Sequence, residues 1–189
     1  MTDISNEEFH TDHINASVTD NPEIYKLWTR SKDISRFLSI KYFQTAKKFI
    51  IDIGTADGSN KLTGSTAVYV DAITLIAYLR ALNTGTGALI YPKTKDTPTD
   101  ESIAIYGGGF VDNKPIARVF KSHLWPTGNN NYDNGAFVFK CGHFDAKETS
   151  TGAFVQSSST PISASSIKVT RKNIAEMELL LSLRIMNHV

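Results

Sequence analysis

The sequence predicts an α+β fold in which two groups of antiparallel strands are each followed by one helix. Three observations carry this expectation. Short runs of β-branched and aromatic residues recur with turn residues between them, as in antiparallel meanders. Two longer apolar stretches, AITLIAYLRAL and NIAEMELLLSL, have helical spacing instead. The order strand, capping residue, apolar helix occurs twice, in AVYVDAITLIAYLRAL and in SIKVTRKNIAEMELLLSL. That recurrence marks an internal repeat.

Residues 1–24 read as a disordered acidic arm. They contain Asp3, Glu7, Glu8, Asp12, Asp20 and Glu23, no Lys or Arg, and no periodicity. Residues 25–189 read as a single domain, with one repeat over 34–84 and a second over 88–189. NPEIYKLWTRSKDI reads as a short helix docked by Ile24, Leu27 and Trp28. SRFLSIKYF and KKFIIDIG form a hairpin around a polar turn, ADGSNKLTGS is a polar loop, and AVYV is a short strand. The first half therefore shows three clear strands. DAITLIAYLRALN is a helix, with Asp71 as its N-cap and Ile73, Ile76 and Leu79 or Arg80 at helical spacing.

In the second half ALIYP and SIAIYGGGF are strands and DNKP is a turn. IARVFKSHLW is a strand, WPTGNNNYDNG a loop, and AFVFKCGHF another strand. The segment from Glu148 to Ser166, ending in VQSSSTPISASS, reads as a flexible Ser/Thr-rich loop. SIKVTRK is the last strand. The closing helix turns Ile174, Met177, Leu181 and Ile185 to the core and leaves over Leu179, Leu183 and Met186. With one gap, Val70 aligns with Val169, and Ile73, Ile76 and Leu79 align with Ile174, Met177 and Leu180.

Composition bounds the function. A chain of 189 residues with 41% hydrophobic and 21% charged residues can bury an ordinary core. No apolar run approaches the roughly 18 residues of a membrane span, so no membrane partner is expected. The acidic N-terminus lacks a secretory apolar region, and its lack of Arg is unlike a transit peptide. The expected location is the cytoplasm or nucleoid, including that of a host cell if the protein is virus-encoded. Cys141 is the single cysteine, so no internal disulfide forms, which fits a reducing compartment. Six of the 19 acids fall in residues 1–24, leaving 13 against 20 Lys and Arg in the body. A basic body with an acidic arm suits a polyanionic ligand, and the arm suits a basic partner protein.

Motifs for catalysis are missing. IYGGGF lacks the Lys-Ser/Thr ending of a phosphate loop and leads into a strand, not a helix N-terminus. In CGHFD, Cys141, His143 and Asp145 alternate along one strand, but no second Cys/His pair completes a zinc site. Neither a nucleophile elbow nor an HExxH helix is present. No enzyme activity, metal or cofactor is expected.

The remaining signal is aromatic and basic residues interleaved on strands. Phe37, Lys41 and Phe43 alternate in SRFLSIKYF, and Lys47 and Lys48 sit at the following turn. Arg118, Phe120, Lys121 and Trp125 lie in IARVFKSHLW, and Lys140 in AFVFKCGHF. Unpaired bases stack on rings while cations follow the phosphates, so this set points to a single strand of nucleic acid.

At this point the order hairpin, polar loop, short strand, helix in residues 35–82 resembles the PC4-like proteins. The close KVTRKNIAEMELLLSLRIMNHV is similar to that of Whirly proteins. The resemblance implies two four-stranded antiparallel sheets packed roughly perpendicular, a ββββα repeat, and helices that support the core and mediate homotetramer contacts. It implies non-enzymatic binding of single-stranded DNA or RNA with little sequence specificity, in replication, recombination or transcription. The alternative is a viral assembly type of interaction protein, whose exposed aromatics bury against another subunit.

Overall fold

The computed structural model describes residues 22–30, 34–59, 61–84, 104–126 and 132–186; side chains of 124–126 and 132–135 are outside the description. Two four-stranded antiparallel sheets each lead directly into a helix. The first sheet contains β1 (Glu23–Arg30), β2 (Ser35–Phe43), β3 (Lys48–Ala56) and β4 (Leu62–Asp71), in that order, followed by α1 (Ala72–Thr84). The second contains β5 (Ala104–Val111), β6 (Lys114–Pro126), β7 (Tyr132–Glu148) and β8 (Phe154–Thr170), followed by α2 (Arg171–Met186). This is the ββββα repeat that the resemblance implies.

Three local expectations are corrected. The segment read as a helix around Trp28 is β1, so the first half has four strands, and the acidic arm ends before Glu23. The loop read in ADGSNKLTGS is shorter, because β4 begins at Leu62. The Ser/Thr-rich segment read as a flexible loop is mostly β8, a strand of 17 residues paired with β7. Its ladder jumps between Gln156 opposite Ala146 and Pro161 opposite Phe144, so residues 157–160 form a bulge. There Ser158 Oγ accepts the Thr160 amide at 3.1 Å, and Gln156 Nε2 donates to Ser158 O at 2.6 Å. Side chains satisfy the edge that the ladder leaves open, a known way of blunting an edge strand. The expected strand at ALIYP and most of the acidic arm lie outside the described residues.

Turn chemistry fits the chain. Asp112 and Asn113 have φ of 49° and 62° between β5 and β6, the left-handed pair of a tight hairpin. Lys47, at φ 52°, closes the β2–β3 turn, where its amide donates to Gln44 O at 3.1 Å. Both helices are capped at the strand end. Asp71 Oδ1 accepts the Thr74 amide at 3.0 Å. Thr170 Oγ1 accepts the Asn173 amide at 3.3 Å, while Asn173 Oδ1 accepts the Thr170 amide at 3.0 Å, a reciprocal capping box.

The core lies between the sheets' inner faces and the helices. Leu38, Ile40, Phe49, Ile51 and Ile53 from the first sheet meet Phe120, Phe137, Phe139, Ile167 and Val169 from the second. α1 contributes Leu75, Tyr78, Leu79 and Leu82, and α2 contributes Ile174, Met177 and Leu181. Of the expected face of α1, Leu79 is buried and Ile76 packs against the core, but Ile73 is exposed. The repeat consequently aligns without a gap: Val70 with Val169, Asp71 with Thr170, Leu75 with Ile174, Tyr78 with Met177, and Leu82 with Leu181.

β4 runs across the second sheet. Thr66 Oγ1 bonds to Ser163 and Ser165 of β8, the Ala67 carbonyl to His143 Nε2 of β7 at 2.6 Å, and the Tyr69 carbonyl approaches Gly107 of β5. The free edge of β4 is thereby covered. Thr66 and Ser165 are equivalent positions of the two repeats, and they hydrogen bond to each other at 3.2 Å. The pseudo-twofold axis relating the halves passes between them. Arg80 and Asn83 of α1 both reach Glu178 of α2, at 2.8 and 3.1 Å.

Candidate nucleic-acid interface

Registers fix what each sheet turns outward. In the first sheet one outward row is Trp28, Phe37, Gly54, Ser65, and the next is Lys26, Ser39, Asp52, Ala67. In the second sheet the equivalent rows are Tyr106, Val119, Gly142, Ala164 and Ala104, Lys121, Lys140, Ser166. An exposed ring thus sits at the same place of each repeat, on the edge strand. Trp28 is 44% exposed and Tyr106 is 73% exposed.

Around Trp28 the edge strand alternates Lys26, Trp28 and Arg30, all exposed. Lys26 Nζ lies 6.0 Å from the centre of the Trp28 ring and 3.3 Å from Glu23 Oε2. Beneath Trp28 is Phe37, centroid to centroid 5.4 Å. Phe37 is buried because its ring covers Gly54, where a Cβ would collide with it. It supports Trp28 and is not itself an open stacking surface.

Around Tyr106 the cations belong to the strands inside the edge. Lys121 and Lys140 face each other directly across β6 and β7, both partly exposed. Lys168, exposed on β8 beside Val138, extends the same outward face. Among the described residues no ion pair offsets Lys121 or Lys140. Like charges directly opposite repel, and an anion laid between them relieves that repulsion.

The other sequence-predicted residues divide. Lys41 shares the outer face of the first sheet and is partly buried. Phe43 is on that face too, but is buried in a small cluster with Ile50 and Ala67. Lys47 and Lys48 are exposed at the β2–β3 turn. Phe120 is a core residue, edge-on to Tyr78 and Phe139. Arg118 points to the inner side of the second sheet, is buried, and lies over Tyr69 at 5.2 Å. Trp125's side chain is outside the described residues. Expectation grouped Arg118 and Phe120 with Lys121; strand alternation separates them by face. Lys26, Trp28, Arg30, Tyr106 and Lys168 were not expected. A register pairing of the two repeats is the signal that finds Tyr106 once Trp28 is known to lie on a strand.

Cys141 is buried, and burial, then the charge of Asp52, pushes its thiol well above the usual range. Its side chain packs in the core cluster. Among the described residues no group of three His, Cys, Asp or Glu could hold a metal.

No family model matches the chain, and no curated protein matches it in sequence. Among solved structures it is similar to two Whirly proteins of Arabidopsis thaliana. WHY1 is 8% identical, with 90% of this chain and 85% of that chain covered and a TM-score of 0.45. WHY3 is 9% identical, with 86% and 87% covered and a TM-score of 0.43.

Proposed function

We propose that this protein binds single-stranded nucleic acid without catalysis, along the outer faces of its two sheets. The observation that carries the reading is the exposed ring at equivalent positions of both repeats, Trp28 and Tyr106, each beside cations on the same face. Stacking on a ring is open to any base and contributes about 1–3 kcal/mol per base, and the lysines track phosphates. Duplex DNA fits less well: the inward faces of both helices are committed to the core, and neither presents a polar recognition face.

The reading includes self-association through α2. Leu179, Leu180, Leu183 and Met186 are 60%, 39%, 42% and 65% exposed, an apolar strip on the side away from Ile174, Met177 and Leu181. A homotetramer built on this helix would present several single-strand faces at once.

The test is a titration with a labelled mixed-sequence single strand and its duplex at two salt concentrations. The single strand is expected to bind more tightly, with affinity falling steeply as salt rises. Equal or stronger binding of the duplex rejects the proposal. Binding that strengthens with salt would instead favour an assembly protein whose rings bury against another subunit.

A further inference from the structure

The pseudo-symmetry that pairs Trp28 with Tyr106 also pairs Asp52 with Lys140. Here the two halves have opposite chemistry. Asp52 lies in the middle of β3, between Ser39 and Ala67 in register, one row from Trp28 and Phe37. It is 7% exposed. Ser65 hydrogen bonds to the carboxylate, but Oδ1 has no partner among the described residues. A buried carboxylate with an open oxygen is costly to keep, and a donor from a ligand removes that cost.

The charges around it leave the acceptor available. Lys41, one row away on β2, is the cation acting on Asp52. Lys26 is occupied by Glu23 at 3.3 Å, and Glu23 also takes the Ser39 hydroxyl at 2.7 Å. On the core side the neighbouring titratable group is the buried Cys141 thiol.

We propose that Asp52 reads the edge of the base next to one stacked on Trp28, and that the base it favours is guanine. The inference rests on the proposed function and deepens it: Trp28 supplies affinity for any base, and Asp52 adds a preference. Neighbouring strands are about 4.8 Å apart, so the third strand is roughly 10 Å from the first. Asp52 is also one row, about 7 Å, along the strands, so it lies roughly 12 Å from Trp28 and meets the next base of the strand. Guanine offers two adjacent donors, N1–H and N2–H, which match the two oxygens of a carboxylate. Cytosine and adenine set one amino group beside an acceptor. Thymine and uracil flank N3–H with carbonyl oxygens that a carboxylate repels. Lys41, the cation next to Asp52 on the same face, is placed to take up a phosphate. In the second repeat Lys140 stands where Asp52 does in the first, so the Tyr106 site follows the backbone without this selectivity.

The experiment measures fluorescence anisotropy of a thymine oligonucleotide carrying one central guanine, hypoxanthine or thymine. Wild type and Asp52→Asn are compared at low salt and neutral pH. In wild type a single guanine is expected to tighten binding about tenfold, and hypoxanthine, which lacks the N2 amino group, by about threefold. Asp52→Asn is expected to bind the all-thymine strand as tightly as wild type or somewhat more tightly, and to lose the guanine preference. A thermal melt establishes that the variant is folded. A wild type that binds all three strands equally overturns the assignment to Asp52 and leaves single-strand binding standing. A variant that keeps the guanine preference also overturns it. Failure of wild type to bind any single strand rejects the function itself.

Discussion

A ring laid over a glycine recurs on these sheets: Phe37 over Gly54, Phe144 over Gly142, Phe154 over Gly108. At Gly54 and Gly142 the glycine is at the same repeat position. The missing Cβ lets the ring lie against the backbone, so an outward aromatic is buried at Phe37 and half-buried at Phe144 and Phe154. Gly54→Ala is expected to cost about 1–3 kcal/mol of stability, because the ring must move. Gly58→Ala, with nothing within 4 Å of the added methyl, serves as the control in the same thermal melts. The exposed rings behave differently. Trp28→Ala and Tyr106→Ala are each expected to weaken single-strand binding by about 1–3 kcal/mol while leaving the far-ultraviolet circular dichroism spectrum unchanged. Asp52 makes a pH prediction. Burial, opposed by the Ser65 hydrogen bond and by Lys41, raises its carboxyl above the ordinary value of 3.8. Between that value and the raised one the folded chain holds a proton that the unfolded chain has lost. Stability therefore falls as pH rises through this window. Asp52→Asn is expected to melt a few degrees above wild type at pH 7, with the difference shrinking as pH falls toward 4. An unchanged difference across that range would remove Asp52 as its cause.

The elements show what their residues made legible and what they hid. Both helices were readable, because strong apolar periodicity and a capping residue coincide. Asp71 performs the expected N-cap role, while at α2 the cap is Thr170. Thr170→Ala is expected to cost about 1 kcal/mol in denaturant melts. A bulge between Glu23 and Tyr25 inserts Ile24 and breaks the alternation that would mark β1 as a strand. Ile24, Leu27 and Trp28 then imitate helical spacing. β8 carries no apolar alternation to mark it as a strand, because an edge strand is held by its backbone ladder and tolerates serines outside. Trp28's face and most of one edge strand of the second sheet are thereby hidden in the sequence. The leucine strip left over on α2 was visible in the sequence, since Ile174, Met177 and Leu181 already fill the core side. Leu183→Glu is expected to reduce the assembled mass in light scattering at micromolar concentration without unfolding the chain. A mass equal to wild type would exclude this helix as the contact.

At the scale of the whole molecule, the internal repeat was legible but its alignment was not. Ile73 resembles Ile174 as an apolar residue near a helix start, so one gap looked natural; burial shows that Leu75 is the true counterpart. Correct alignment turns scattered aromatics and lysines into two related surfaces. The surfaces differ in charge, and so should their variants. Replacing both Lys121 and Lys140 by Ala is expected to weaken binding to all single strands alike. It should also lower the slope of log affinity against log salt by about 1–2. Trp28→Ala should leave that slope nearly unchanged, because a ring releases no counterions.

The hydroxyl pair at the pseudo-twofold axis, Thr66 and Ser165, bears on ancestry. A residue on a true twofold axis meets its own copy, and few polar side chains can bond to themselves. Two carboxylates or two ammonium groups repel, whereas a hydroxyl donates with one hand and accepts with the other. A Ser or Thr at this place would have served unchanged in a homodimer of a single ββββα unit, before two such units were joined into one chain. The joined chain inherits a contact that does not care which half carries the extra methyl group. The swap Thr66→Ser with Ser165→Thr should then leave the melting transition almost where it is.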